Sequence, residues 1–74
     1  MKLTAYPATP IFCKRIDVRN PEGDSIAIVN CDTSIKFNGH IEMYPSDVKQ
    51  VLTIAENFNM FYQNISKATT DDPQ

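Results

Sequence analysis

Asn20-Pro21-Glu22-Gly23-Asp24 constrains this chain more than any other stretch. Proline presets φ for the first central position of a type I turn, and glycine supplies the left-handed residue that closes a bulged three-residue hairpin loop. With Pro21, Glu22 and Gly23 as that loop, Asn20 closes against Asp24. Counting outward, Val18 faces Ile26 and Ile16 faces Ile28, so both apolar pairs share one face. The flanking strands are expected over about 11–19 and 25–31. The same count sets Cys13 opposite Cys31, where a disulfide is geometrically conceivable. The opposite face then carries Cys13, Arg15, Asp17, Ala27, Val29 and Cys31.

A second hairpin is expected over about 34–37 and 41–44. Asn38-Gly39 interrupts it, and a three-residue loop there pairs Phe37 with Ile41 and Ile35 with Met43, with Gly39 or its neighbour at positive φ. Before the first strand, Pro7 and Pro10 rule out a central strand over 1–10. That segment reads as an extended arm or an edge strand, anchored by Leu3 and Tyr6. After the hairpins, Pro45-Ser46-Asp47 reads as a helix start, with serine as cap and aspartate at the positive dipole end. Apolar residues from Val48 to Ile65 cover a half-cylinder, with Ile54 and Phe61 on one margin. One long helix over about 47–67 is the prediction, followed by a flexible polar tail over 68–74.

The architecture expected is α+β: a small antiparallel sheet of three or four strands with the helix packed on one face. Residues 1–67 make a single domain, because 74 residues with 42% apolar side chains supply one core and no more. A core of that size contributes only about 3–5 kcal/mol net, so a staple or a partner is expected. Two cysteines and one histidine cannot form a four-ligand zinc site of the usual kind, and no metal or cofactor is expected.

Charge and hydropathy narrow the partners. Seven Lys/Arg against nine Asp/Glu generate no field that would gather nucleic acid. The longest apolar run, Ile26–Val29, is far too short to span a bilayer, and the first residues lack the apolar stretch of a secretory signal. A cytoplasmic protein with reduced thiols, off the membrane, is the expectation. Catalysis is not expected either. His40 is the one histidine and sits in a turn, no serine occupies a nucleophile elbow, and two glycines cannot build a phosphate cradle.

What remains is a surface. The helix carries an unusually plain polar side, with Asn57, Met60 and Asn64 beside the apolar Phe61 and few charges to form ion pairs. The sheet offers Arg15, Asp17, Arg19 and Lys36. In length and lack of chemistry the chain resembles the small accessory and inhibitor proteins of bacteriophages and prophages, a likeness that rests on no motif and carries no residue across. A non-enzymatic module that binds a protein by occupying its surface, or binds a second copy of itself as a homodimer, is the reading. The alternative is nucleic-acid binding through the exposed sheet face.

Overall fold

In the computed structural model, which describes residues 2–8 and 14–70 (backbone alone for 67–70), the loop at Pro21-Glu22-Gly23 closes as its residues require. The Gly23 amide donates to the Asn20 carbonyl at 2.9 Å, and the Asn20 amide donates to the Asp24 carbonyl at 3.0 Å. Gly23 sits at φ 91°, outside the small left-handed well open to other residues. The loop joins strands β2 (Arg15–Arg19) and β3 (Ser25–Asn30).

Two pairs out from the loop, the register departs from expectation. Arg19 pairs with Ser25, but Val18 pairs with Ala27 rather than Ile26. Ile26 is the extra residue of a β-bulge, and every later pair is offset: Ile16 faces Val29, Asp17 faces Ile28 and Arg15 faces Asn30. The physical cause is visible in burial. Ile26 and Ala27 are adjacent, yet each is only 1% exposed, which strict strand alternation forbids and a bulge allows. Ala27 and Val29 therefore join Ile16 and Val18 on the helix-covered face, while Ile28 goes to the open one. Cys13 and the expected strand residues Ile11 and Phe12 lie outside the described residues; Cys31 is exposed as a free thiol.

Among the described residues four antiparallel strands stand in the order β1-β2-β3-β4. β1 (Thr4–Pro7) is an edge strand, with Tyr6 opposite Asp17 and Pro7 opposite Ile16. A proline is tolerated there because its missing donor faces no neighbour. β4 (Ile35–Phe37) is the other edge and pairs with β3 through Ile28 and Lys36. The expected strand over 41–44 does not form. Asn38 donates its amide to the Ile26 carbonyl at 2.9 Å and its side-chain amide to the Ser25 carbonyl at 3.0 Å, and its Oδ1 accepts the His40 amide at 3.0 Å. These bonds fasten the end of β4 to the start of β3 and turn the chain off the sheet. Among the described residues Gly23 and Thr33 have positive φ and Gly39 does not. Ile41 and Met43 pack against the core from the connecting segment.

The expected long helix is two helices, α1 (Pro45–Glu56) and α2 (Phe58–Thr70). Tyr44 rather than Ser46 is the N-cap, with Pro45 at the first helical position, where a missing amide costs nothing. Asp47 Oδ2 accepts the Tyr44 amide at 3.2 Å, which fixes the entry of the chain. The break falls at Asn57, whose backbone departs to φ −116°, ψ 36°. Its backbone amide and its side-chain Nδ2 both donate to the Thr53 carbonyl, each at 3.1 Å. Asparagine competes with the helical ladder through such local bonds, so it is a natural breaking point. The helical residues to Thr70 also replace the start of the expected tail, of which 71–74 lie outside the described residues.

The break lets each helix cover a different part of the sheet: α1 packs on β3, and α2 packs on β1 and β2. Between them lie Ile16, Val18, Ile26, Val29, Val51 and Phe58, all buried. The Phe58 and Tyr62 rings stack at 5.7 Å between centroids, and Lys14 lies over Tyr62 at 5.7 Å. No helix among the described residues is long and apolar enough to cross a membrane.

Candidate interface surfaces

The sheet-face candidates share one side, since strand residues two apart point the same way. Tyr6, Asp17, Ile28 and Lys36 form one row across the four strands. Asp17 is not free to contact a partner. It is only 8% exposed, accepting Arg19 Nε at 2.9 Å on one oxygen and the Ser25 hydroxyl at 2.5 Å on the other. Arg19 is held by that pair and stacks its guanidinium over Tyr6 at 4.6 Å. Arg15 is half-buried, and Lys36 is exposed. The face is thus a pinned Tyr6–Arg19–Asp17–Ser25 chain with Arg15 and Lys36 at its flanks.

In a Ser-His-Asp relay an imidazole stands between the serine and the carboxylate, whereas Ser25 donates straight to Asp17. His40 is exposed and lines a concavity of about 440 Å³ at the β4 edge, beside Lys36 and Phe37. No group of three or more His, Cys, Asp or Glu able to hold a metal occurs among the described residues.

The helix-flank candidates separate. Asn57, Met60 and Asn64 face outward, and Met60 is 54% exposed. Asn57 has a structural task, the helix break. Phe61 turns the other way and packs against the core margin.

There it joins a feature the sequence reading missed. Leu3 and Ala5 of the N-terminal segment, Ile54 of α1, and Phe61 and Ile65 of α2 floor an open groove of about 840 Å³. Its rim is Lys2, Thr4, Ser46, Lys49, Gln50 and Thr53, so among the described residues its charged groups are two lysines with no carboxylate. The Leu3 amide donates to Gln50 Oε1 at 3.4 Å and ties the strand to α1. The wide apolar arc with Ile54 and Phe61 on its margin was the available signal. What could not be read was that β1 would supply the facing wall.

Comparison with known proteins finds no matching family model, curated protein or solved structure.

Proposed function

We propose that the protein is a non-enzymatic binding module that acts by occupying the surface of another protein, as a regulator or inhibitor would. The observation that supports this reading most is the groove between β1 and the two helices, which is broad, open and apolar-floored. Among the described residues its lining contains no carboxylate, histidine or thiol, the groups that general acid–base or thiol chemistry uses. Exposed Leu52 and Met60 add apolar contact area on the helices, at 46% and 54% exposure. An exposed apolar surface of this kind is what protein partners cover.

A second reading, nucleic-acid binding, draws on Tyr6, Arg15, Arg19 and Lys36 sharing the open sheet face. Against it, Arg19 is already paired with Asp17 and stacked on Tyr6. Affinity capture from the native host, with and without nuclease, separates the two. A stoichiometric protein that survives nuclease and high salt is the expected result. Recovery of nucleic acid alone, lost steeply as salt is added, overturns the first reading in favour of the second. Sedimentation of the purified chain tests a second copy as the partner: a species of twice 8.4 kDa identifies the homodimer.

A further inference from the structure

The groove carries more than its existence, because its walls restrict what can lie in it. Resting on the protein-binding reading above, we infer that it receives an amphipathic helix of a partner protein, with apolar anchors on one face and acidic residues beside them.

The first restriction is on backbone. The groove lies beside the edge strand β1, lined by Leu3 just before it and by Thr4 and Ala5 within it. An edge strand normally invites an added strand. Here the Ala8 amide donates inward to the Arg15 carbonyl, so Thr4 and Tyr6, of the same parity, also turn their main-chain groups toward β2. Leu3, Ala5 and Pro7 turn theirs outward. Of these three, Leu3 donates to Gln50 and Pro7 has no amide hydrogen, which leaves Ala5 as the one donor for an incoming strand. The outward carbonyls of Leu3, Ala5 and Pro7 can accept, but with Ala5 as the single donor an added strand would leave most of its own facing carbonyls unbonded. That lopsided edge favours an occupant that satisfies its own backbone hydrogen bonds, as a helix does.

The second restriction is on side chains. A floor of Leu3, Ile54, Phe61 and Ile65 asks for apolar anchors at helical spacing. The third is on charge. Among the described residues Lys2 and Lys49 are the charged groups of the rim, in a chain whose net charge is −2. The local sign is opposite to the global one, which favours carboxylates at this place and discourages them elsewhere.

The test uses the full chain and three synthetic probes. One is a helical peptide with Leu at i, i+4 and i+7 flanked by Glu; the second replaces each Glu with Lys; the third is oleate. Amide chemical-shift mapping should place the acidic helix at residues 2–5, 49–54 and 61–65, with affinity about tenfold above that of the basic helix. Lys49→Glu lies at an exposed helical position, and an unchanged far-ultraviolet circular dichroism spectrum verifies its fold. That variant should weaken the acidic helix about tenfold and improve the basic one. Equal binding of the two peptides overturns the inference. So does mapping to the open sheet face, binding of oleate in preference to both peptides, or occlusion of the groove by a second copy in sedimentation. If the acidic helix fails while affinity capture still returns a nuclease-resistant protein, the partner chemistry falls and the protein-binding reading stands. If capture also returns no protein, both fall.

Discussion

Two loops of this molecule solve one problem with different residues. Asn20-Pro21-Glu22-Gly23-Asp24 and Asn30-Cys31-Asp32-Thr33-Ser34 share a backbone hydrogen-bond pattern: the fourth residue donates to the first carbonyl, and the first amide donates to the fifth carbonyl. The fourth residue is left-handed in both, Gly23 at φ 91° and Thr33 at φ 68°. Threonine cannot follow glycine to 91°, but 68° lies at the edge of the small well that L-residues can enter. The second loop is braced by side chains instead. Asp32 Oδ1 accepts both the Ser34 amide at 2.9 Å and the Ser34 hydroxyl at 2.6 Å, and Asn30 Nδ2 donates to that hydroxyl at 3.0 Å. The first loop has a single brace, Asn20 Oδ1 accepting the Asp24 amide at 2.8 Å. Glycine makes a turn cheap in strain; a polar ring makes a strained turn tolerable.

Exchanging the key residues should break the equivalence unequally. Gly23→Thr forces a β-branched residue to an angle outside its well and should cost about 2 kcal/mol. No neighbour lies within 4 Å of a Cβ built there, so the loss would come from backbone strain rather than from a clash. Urea denaturation reads it as a fall in midpoint at constant slope. Asn20→Ala comes next. Asn20 is only 8% exposed, and removing its acceptor leaves the Asp24 amide unbonded, at a cost of about 1 kcal/mol. The same denaturation series should show a smaller loss for Asn30→Ala, whose side chain bonds in solvent-exposed surroundings.

Thr33→Gly runs the other way and should stabilise by about 0.5 kcal/mol. Relief of the left-handed strain is partly offset by the freedom glycine gives the unfolded chain. A rise in thermal midpoint of a few degrees would be the signature. A fall would mean that Thr33 makes a contribution beyond its backbone.

The smallest effect is confined to acid. The Ser34 hydroxyl, and after it the Ser34 amide, hold the Asp32 carboxyl below the ordinary carboxylate range. A depressed folded-state value stabilises above the unfolded one and is lost as pH falls through the folded one. Asp32→Asn should therefore flatten the stability curve only below about pH 4, and match the parent's slope above it. A difference in slope near neutrality would contradict this.

The two loops also mark what could be read from the chain alone. Gly23 after a proline announced the first loop, and its closure at Asn20 and Asp24 follows. Nothing in Asn30-Cys31-Asp32-Thr33-Ser34 signals a left-handed residue, because threonine there depends on a side-chain ring that forms only in the folded turn. The bulge at Ile26 was unreadable for a related reason. Alternation alone put Ile28 in the core, and only the third dimension rewards burying the adjacent Ile26 and Ala27 instead. Asn57 broke the helix through a side-chain bond that periodicity does not weigh. The proposed groove was half legible. Ile54, Phe61 and Ile65 stood out as one margin of an apolar arc, but Leu3, Ala5 and Lys2 are some fifty residues away in sequence and announced only an arm.

That distance has a consequence for how the chain comes together during synthesis. Among the described elements β1 is made before the others, and α2, which packs on it, after them. The hairpin of β2 and β3 can form from near neighbours as soon as both strands exist. The apolar side of Leu3 and Ala5, however, lacks the wall that α2 supplies until Phe61 and Ile65 have been released. Contacts of such long sequence separation form late and slowly. A stalled or truncated chain ending before Asn57 would retain a sheet with half its roof, and it is this intermediate that chaperones and proteases would meet first.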